Sequence, residues 1–156
     1  MSKLNGKRIL FLGSSVTYGA AAGGRSFVDE LAARTGCEVV KEAVSGTTLA
    51  DIAPESYVAR LRLLDPETAA DLFVCQLSTN DARLGLPLGE PAEPGEIFDR
   101  DTVAGAIETI VDYAQRTWRC PVVFYTNPKY DCEAYGAMVA LLKALQDKWG
   151  FGIVDL

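Results

Sequence analysis

The chain has 156 residues, 49% of them hydrophobic, and 21 acidic against 15 basic side chains give it a net charge of −6. That length suits one domain with a real core, residues 1–156 in a single unit, and the apolar content argues against disorder. The acidic balance excludes a basic surface for nucleic acid or anionic lipid.

Met1 to Arg8 leads into the first strand with no long apolar region or small-residue cleavage site. No signal peptide is therefore expected. No apolar stretch approaches the length of a bilayer span, so the expected compartment is the cytoplasm, with no membrane partner.

Strand and helix signals then alternate. The apolar run Arg8-Ile9-Leu10-Phe11-Leu12, closed by Gly13, predicts a buried strand. Ser26-Phe27-Val28-Asp29 has the capping-box pattern of a helix start. Phe27, Val28, Leu31 and Ala32 form that helix's apolar face, and Gly36 is its stop. Cys37 to Ala43 alternates weakly and predicts a second, more exposed strand. A shorter helix is expected over Pro54–Leu64 with Tyr57, Val58, Leu61 and Leu64 inward.

Asp71 to Leu77 is apolar enough for a third strand at the sheet centre. Ala82 to Phe98 carries Gly85, Gly89 and Gly95 with Pro87, Pro91 and Pro94. A loop of this length in a compact domain is usually functional, and it is expected to border the pocket. The longest helix is expected from Thr102 to Trp118, where apolar residues keep helical spacing. Val122-Val123-Phe124-Tyr125 is a fourth strand; Met138, Leu141, Leu142, Leu145 and Trp149 line another helix; Gly152 to Leu156 begins a fifth strand.

This alternation predicts an α/β fold: a flavodoxin-like three-layer sandwich with a parallel five-stranded sheet in the order 2-1-3-4-5 and helices on both faces. Ligands of such sheets bind at the carboxyl ends of the strands, beside the first strand.

The four cysteines, Cys37, Cys75, Cys120 and Cys132, form no Cys-x-x-Cys pair, and the chain contains no histidine to complete a mixed zinc site. They are expected as reduced thiols, with no metal.

Three strand ends carry chemistry. After the first strand a Gly-Ser-Ser turn presents the Ser15 hydroxyl. After the second, Gly46 lets a backbone N–H approach a substrate with no side chain between. After the third comes Asn80, followed by Asp81.

Gly13-Ser14-Ser15-Val16-Thr17 is similar to the first block of the SGNH (GDSL-like) hydrolases, with Ser14 where aspartate is usual. Gly46 resembles the glycine of the second block. Ser78-Thr79-Asn80-Asp81 resembles the Gly-x-Asn-Asp of the third, with Ser78 in place of glycine. The resemblance runs from Arg8 to Leu156 and implies a serine esterase. Ser15 would be the nucleophile, Gly46 and Asn80 would be oxyanion donors, and a small carboxylic ester (a short acyl ester or an acetylated carbohydrate) would be the substrate. No cofactor is implied.

The family's fourth block, Asp-x-x-His after the fifth strand, has no counterpart here. The resemblance thus leads one to expect a version truncated at its C-terminus, nearly inactive on esters for want of a histidine. Two other readings stand beside it: a flavodoxin-like protein cradling the phosphate of a flavin on the Gly-Ser-Ser loop, and a binding module that keeps the pocket without catalysis.

Overall fold

The computed structural model describes residues 2–128 and 132–156. The five strands are β1 Arg8–Gly13, β2 Glu38–Ala43, β3 Leu72–Gln76, β4 Val122–Tyr125 and β5 Gly152–Val154. They form one sheet in the order β2-β1-β3-β4-β5, and every neighbouring pair is parallel. The predicted topology holds.

Side chains alternate across this sheet, which separates two cores. Leu10, Leu12, Phe73, Cys75, Val122 and Phe124 face one way. Against them pack the helices α3 Tyr57–Leu61, α5 Val103–Trp118 and α6 Glu133–Trp149. Phe73 and Trp118 stack there with ring centroids 5.4 Å apart. Ile9, Phe11, Val74 and Tyr125 face the other way, and α2 Phe27–Thr35 covers them with Val28. Toward β4 and β5 this second face opens into an apolar groove of about 580 Å³, lined by Phe27, Val74, Val123, Tyr125 and Val154 among others.

The capping box at Ser26 forms as predicted: the Val28 N–H donates to Ser26 Oγ at 3.2 Å, and the Ser26 N–H donates to Asp29 Oδ2 at 2.8 Å. The expected helix over 54–64 shrinks to Tyr57–Leu61, although Tyr57, Val58, Leu61 and Leu64 are buried as expected. The longest helix is α6 with 17 residues rather than α5 with 16. Two short helices begin at the strand ends themselves, α1 Ser15–Tyr18 and α4 Asn80–Arg83. Periodicity has no purchase on single turns of this length.

After α4 the irregular segment leaves the strand ends. Ala92 N–H donates to the fully buried carboxylate of Glu108 on α5 at 2.7 Å, and Lys148 on α6 holds the Ala92 carbonyl at 2.6 Å. Phe98 meets Trp149 edge to face. Residues 90–98 are thereby strapped along α5 and α6. Among the described residues no helix is long and apolar enough to cross a membrane.

Candidate active site

The turn after β1 is built by close approach. A Cβ on Gly13 would lie 1.9 Å from Thr17 Oγ1 and 2.9 Å from Gln76 Oε1, so only glycine fits. Gln76, at the end of β3, gathers the turn with its side-chain oxygen. That oxygen accepts from the Ser14 N–H at 2.9 Å, the Thr17 N–H at 3.3 Å and Thr17 Oγ1 at 2.7 Å. Thr17 also meets the Tyr125 hydroxyl. From below, the buried Tyr57 hydroxyl donates to Ser14 Oγ at 3.1 Å.

Ser14 is thus sealed in and Ser15 is the residue left presented. Ser15 is half-buried, and among the described residues its hydroxyl makes no hydrogen bond. Gly13→Ala should cost about 1–3 kcal/mol of stability through this overpacking. A urea melt with an unchanged midpoint would contradict the geometry.

The turn after β2 runs Val44 to Thr48. Gly46 has φ of +79°, a conformation that disfavours any side chain, and a Cβ there would meet nothing within 4 Å. The space above it is open. Thr47 Oγ1 donates to the Val44 carbonyl at 2.7 Å and closes the turn around Gly46.

The turn after β3 is tied to this one. Asn80 Nδ2 donates to the Thr47 carbonyl at 2.8 Å, and Ser78 Oγ donates to the same oxygen at 3.1 Å. Ser78 Oγ also accepts the Asn80 N–H at 3.0 Å. The serine in place of the expected glycine is therefore a stitch between two turns. Asn80 Oδ1 is held by Arg83 Nη2 at 3.2 Å, so the amide orientation is fixed at both ends. Asp81, with no exposed surface, accepts the Leu49 N–H at 2.9 Å and the Ala50 N–H at 3.0 Å. Burial pushes its carboxyl above the usual carboxylate range, opposed by those two bonds.

Ser15, Gly46 and Asn80 are thus carried by three adjoining strand ends. Gly13 pairs with Ala43 across β1 and β2, and Leu12 with Cys75 across β1 and β3. One guanidinium, that of Arg60 on α3, spans the first two turns: Nη2 donates to the Gly13 carbonyl and to Thr47 Oγ1, each at 2.9 Å. A small pocket of about 180 Å³ lies beside Gly46, with Thr48, Ser56, Ile52 and Leu84 in its wall. Leu84 is the point at which the segment expected to border the pocket reaches it. Burial raises the Tyr57 hydroxyl well above its usual range and the Cys75 thiol likewise, so neither supplies a base.

The residues that sequence reasoning missed are Gln76, Arg60, Tyr57 and Asp81. Only Asp81 carried a local signal, its place in the Asn-Asp pair. The others act at a distance along the chain, Tyr57 over 43 residues, Gln76 over 62 and Arg60 over 13 and 47.

The sequence profile of the GDSL-like lipase/acylhydrolase family matches residues 11–156. No curated protein is a significant match. Among solved structures, a protein of Lactobacillus plantarum is similar at 20% identity and a TM-score of 0.77, covering 97% of this chain and 77% of that one. A protein described as a GDSL-like lipase from Bacteroides ovatus gives 17% and 0.74, covering 97% and 86%. One described as an arylesterase from Agrobacterium tumefaciens gives 21% and 0.67, covering 96% and 83%. At these identities the likeness shows the shared fold.

Proposed function

Because this chain belongs to the GDSL-like lipase/acylhydrolase family, we propose that it is built to cleave carboxylic esters through an acyl-enzyme on Ser15. The observation that carries the reading is the knot at Thr47, whose carbonyl takes Asn80 Nδ2 and whose hydroxyl takes Arg60, with Arg60 also on the Gly13 carbonyl. It sets the Ser15 turn, the Gly46 turn and the Asn80 amide side by side.

In this reading Ser15 Oγ forms a bond to the ester carbonyl carbon and gives up its proton. The carbonyl oxygen becomes an oxyanion facing the N–H groups of Ser15 and Gly46 and the second N–H of Asn80 Nδ2. One such donor is worth roughly 3–4 kcal/mol of transition-state stabilisation. Collapse breaks the ester C–O bond and the alcohol leaves with a proton. Water then attacks the acyl group, which departs as the acid while Ser15 regains its hydrogen.

No histidine is present to take the serine proton, so in this chain the acceptor is hydroxide or buffer and the chemistry is slow. A pocket of about 470 Å³ that Ser15 lines with Val16, Gly19 and Phe27, and the smaller one beside Gly46, leave room for a short acyl ester or an acetylated sugar. Four free thiols, two of them buried, favour a reducing compartment such as the cytoplasm.

Flavin phosphate binding is disfavoured by Gln76. Its oxygen already occupies the Ser14 and Thr17 N–H groups that a phosphate cradle would need free.

The test is covalent labelling with a fluorophosphonate at pH 9, read by intact mass and peptide mapping. A single adduct on Ser15, absent in Ser15→Ala, is expected. An adduct elsewhere, or none, would dismiss the esterase reading and leave the binding module.

A further inference from the structure

Arg60 is the least expected residue near the site: its side chain is 4% exposed, in a part of the fold that could have been filled by an apolar residue at lower cost. All of its nitrogens are used. Nε donates to the Glu55 carbonyl at 2.9 Å, and Nη1 lies 3.3 Å from both the carbonyl and the carboxylate of Glu42. Nη2 serves the two turns, and the guanidinium carbon sits 5.3 Å from the Tyr57 ring centroid. The ion pair with Glu42 and the ring hold the plane of the group, and a planar fork of fixed donors sets the spacing between the oxygens it touches.

Those two oxygens are informative. The Gly13 carbonyl belongs to the same peptide unit as the Ser14 N–H, which Gln76 holds from the other side. Clamped at both its oxygen and its hydrogen, that unit cannot rotate. The next unit carries the Ser15 N–H. In the second turn, Thr47 Oγ1 accepts from Arg60 and donates to the Val44 carbonyl, and Gly46 is a residue of the loop so closed. The Thr47 carbonyl in turn aims the Asn80 amide. The three donors that would face an oxyanion are thus referenced to one rigid group.

We infer that Arg60 is the positioning residue of the oxyanion hole, setting the Ser15 and Gly46 N–H groups at a common distance without itself touching the substrate. This rests on the esterase reading above. Errors well under an ångström in such donors weaken the transition state more than they weaken binding, so the loss belongs in the chemical step.

The test measures the saturating rate and the half-saturation concentration for fluorophosphonate labelling of Ser15 at pH 9, beside urea midpoints. Arg60→Lys keeps the charge but loses the fork. It should lower the saturating rate at least about tenfold while the half-saturation concentration stays within about twofold. Glu42→Ala removes the carboxylate that holds Arg60 Nη1 and leaves the Thr47–Val44 bond in place, so it decides the matter should the Arg60 variants not fold, with a smaller fall in the same parameter. Ser15 labelled in wild type and in the variants at equal saturating rates would overturn the positioning role and leave the esterase reading intact. Wild type without a Ser15 adduct would overturn both.

Discussion

Below neutrality this chain should turn over p-nitrophenyl acetate at a barely measurable Ser15-dependent rate, and that rate should climb about tenfold per pH step from 6 to 9 without levelling near 7. A serine hydroxyl needs its proton removed to attack, and an adjacent imidazole with a pKa near ~6.5 ordinarily does this, so the usual profile rises and then flattens. Here no residue is a histidine. Burial pushes the hydroxyls of Tyr57 and Tyr125 and the thiol of Cys75 upward, so none of them titrates into a base in this range. With hydroxide as the acceptor, its concentration sets the slope.

The measurement subtracts the hydrolysis seen with Ser15→Ala at each pH. Removing triad members from serine hydrolases leaves a residual of roughly 10³–10⁴ over water from the oxyanion donors and binding. Asn80→Ala should therefore lower the remaining Ser15-dependent rate by about 10²-fold or more. A plateau above pH 7 at a rate typical of an intact esterase would show a base that this account does not contain.

How much of this was legible in the chain depended on the range of the interactions. The strands showed because burial on both faces writes continuous apolar runs, as in Arg8–Leu12 and Asp71–Leu77. The α2 start showed because a capping box is local, three residues wide. Ser15, Gly46 and Asn80 could be named because each follows directly on a strand, where the fold places ligands. Gln76 looked like one more residue of a buried strand, and nothing nearby indicates that its oxygen gathers three hydrogens from residues 59 and 62 positions earlier. Arg60 sat on a short helix among inward-facing positions, where its charge argued for solvent. Its burial depends on carbonyls at Gly13 and Glu42 that only the folded chain supplies. The Ala82–Phe98 segment is expected to border the site from its length, its three glycines and three prolines, and its place directly after Asn80-Asp81. The buried Glu108 that straps it to α5 and α6 lies in an amphipathic helix, where an isolated acid reads as surface.

Asp81 should carry the largest single stability effect near the site. Its two oxygens satisfy the Leu49 and Ala50 N–H groups, all of them buried. Asp81→Ala would orphan both donors, and each unsatisfied buried group costs about 1–3 kcal/mol, so a loss of roughly 2–4 kcal/mol is expected after the relief of removing a buried charge. Asp81→Asn keeps one acceptor and should fall about half as far. The comparison of wild type with Asp81→Asn also fixes a sign. Because burial raises the carboxyl's pKa in the folded state, the fold favours its protonated form. The stability this contributes is complete below the unfolded value of about 3.8 and is lost as pH rises through the folded one. Wild type should therefore gain on the Asn variant between pH 8 and pH 4 in urea melts. A gap that narrows on acidification would mean that the two N–H bonds outweigh burial. Asp81 would then be a carboxylate held below its ordinary pKa by the Leu49 and Ala50 N–H groups.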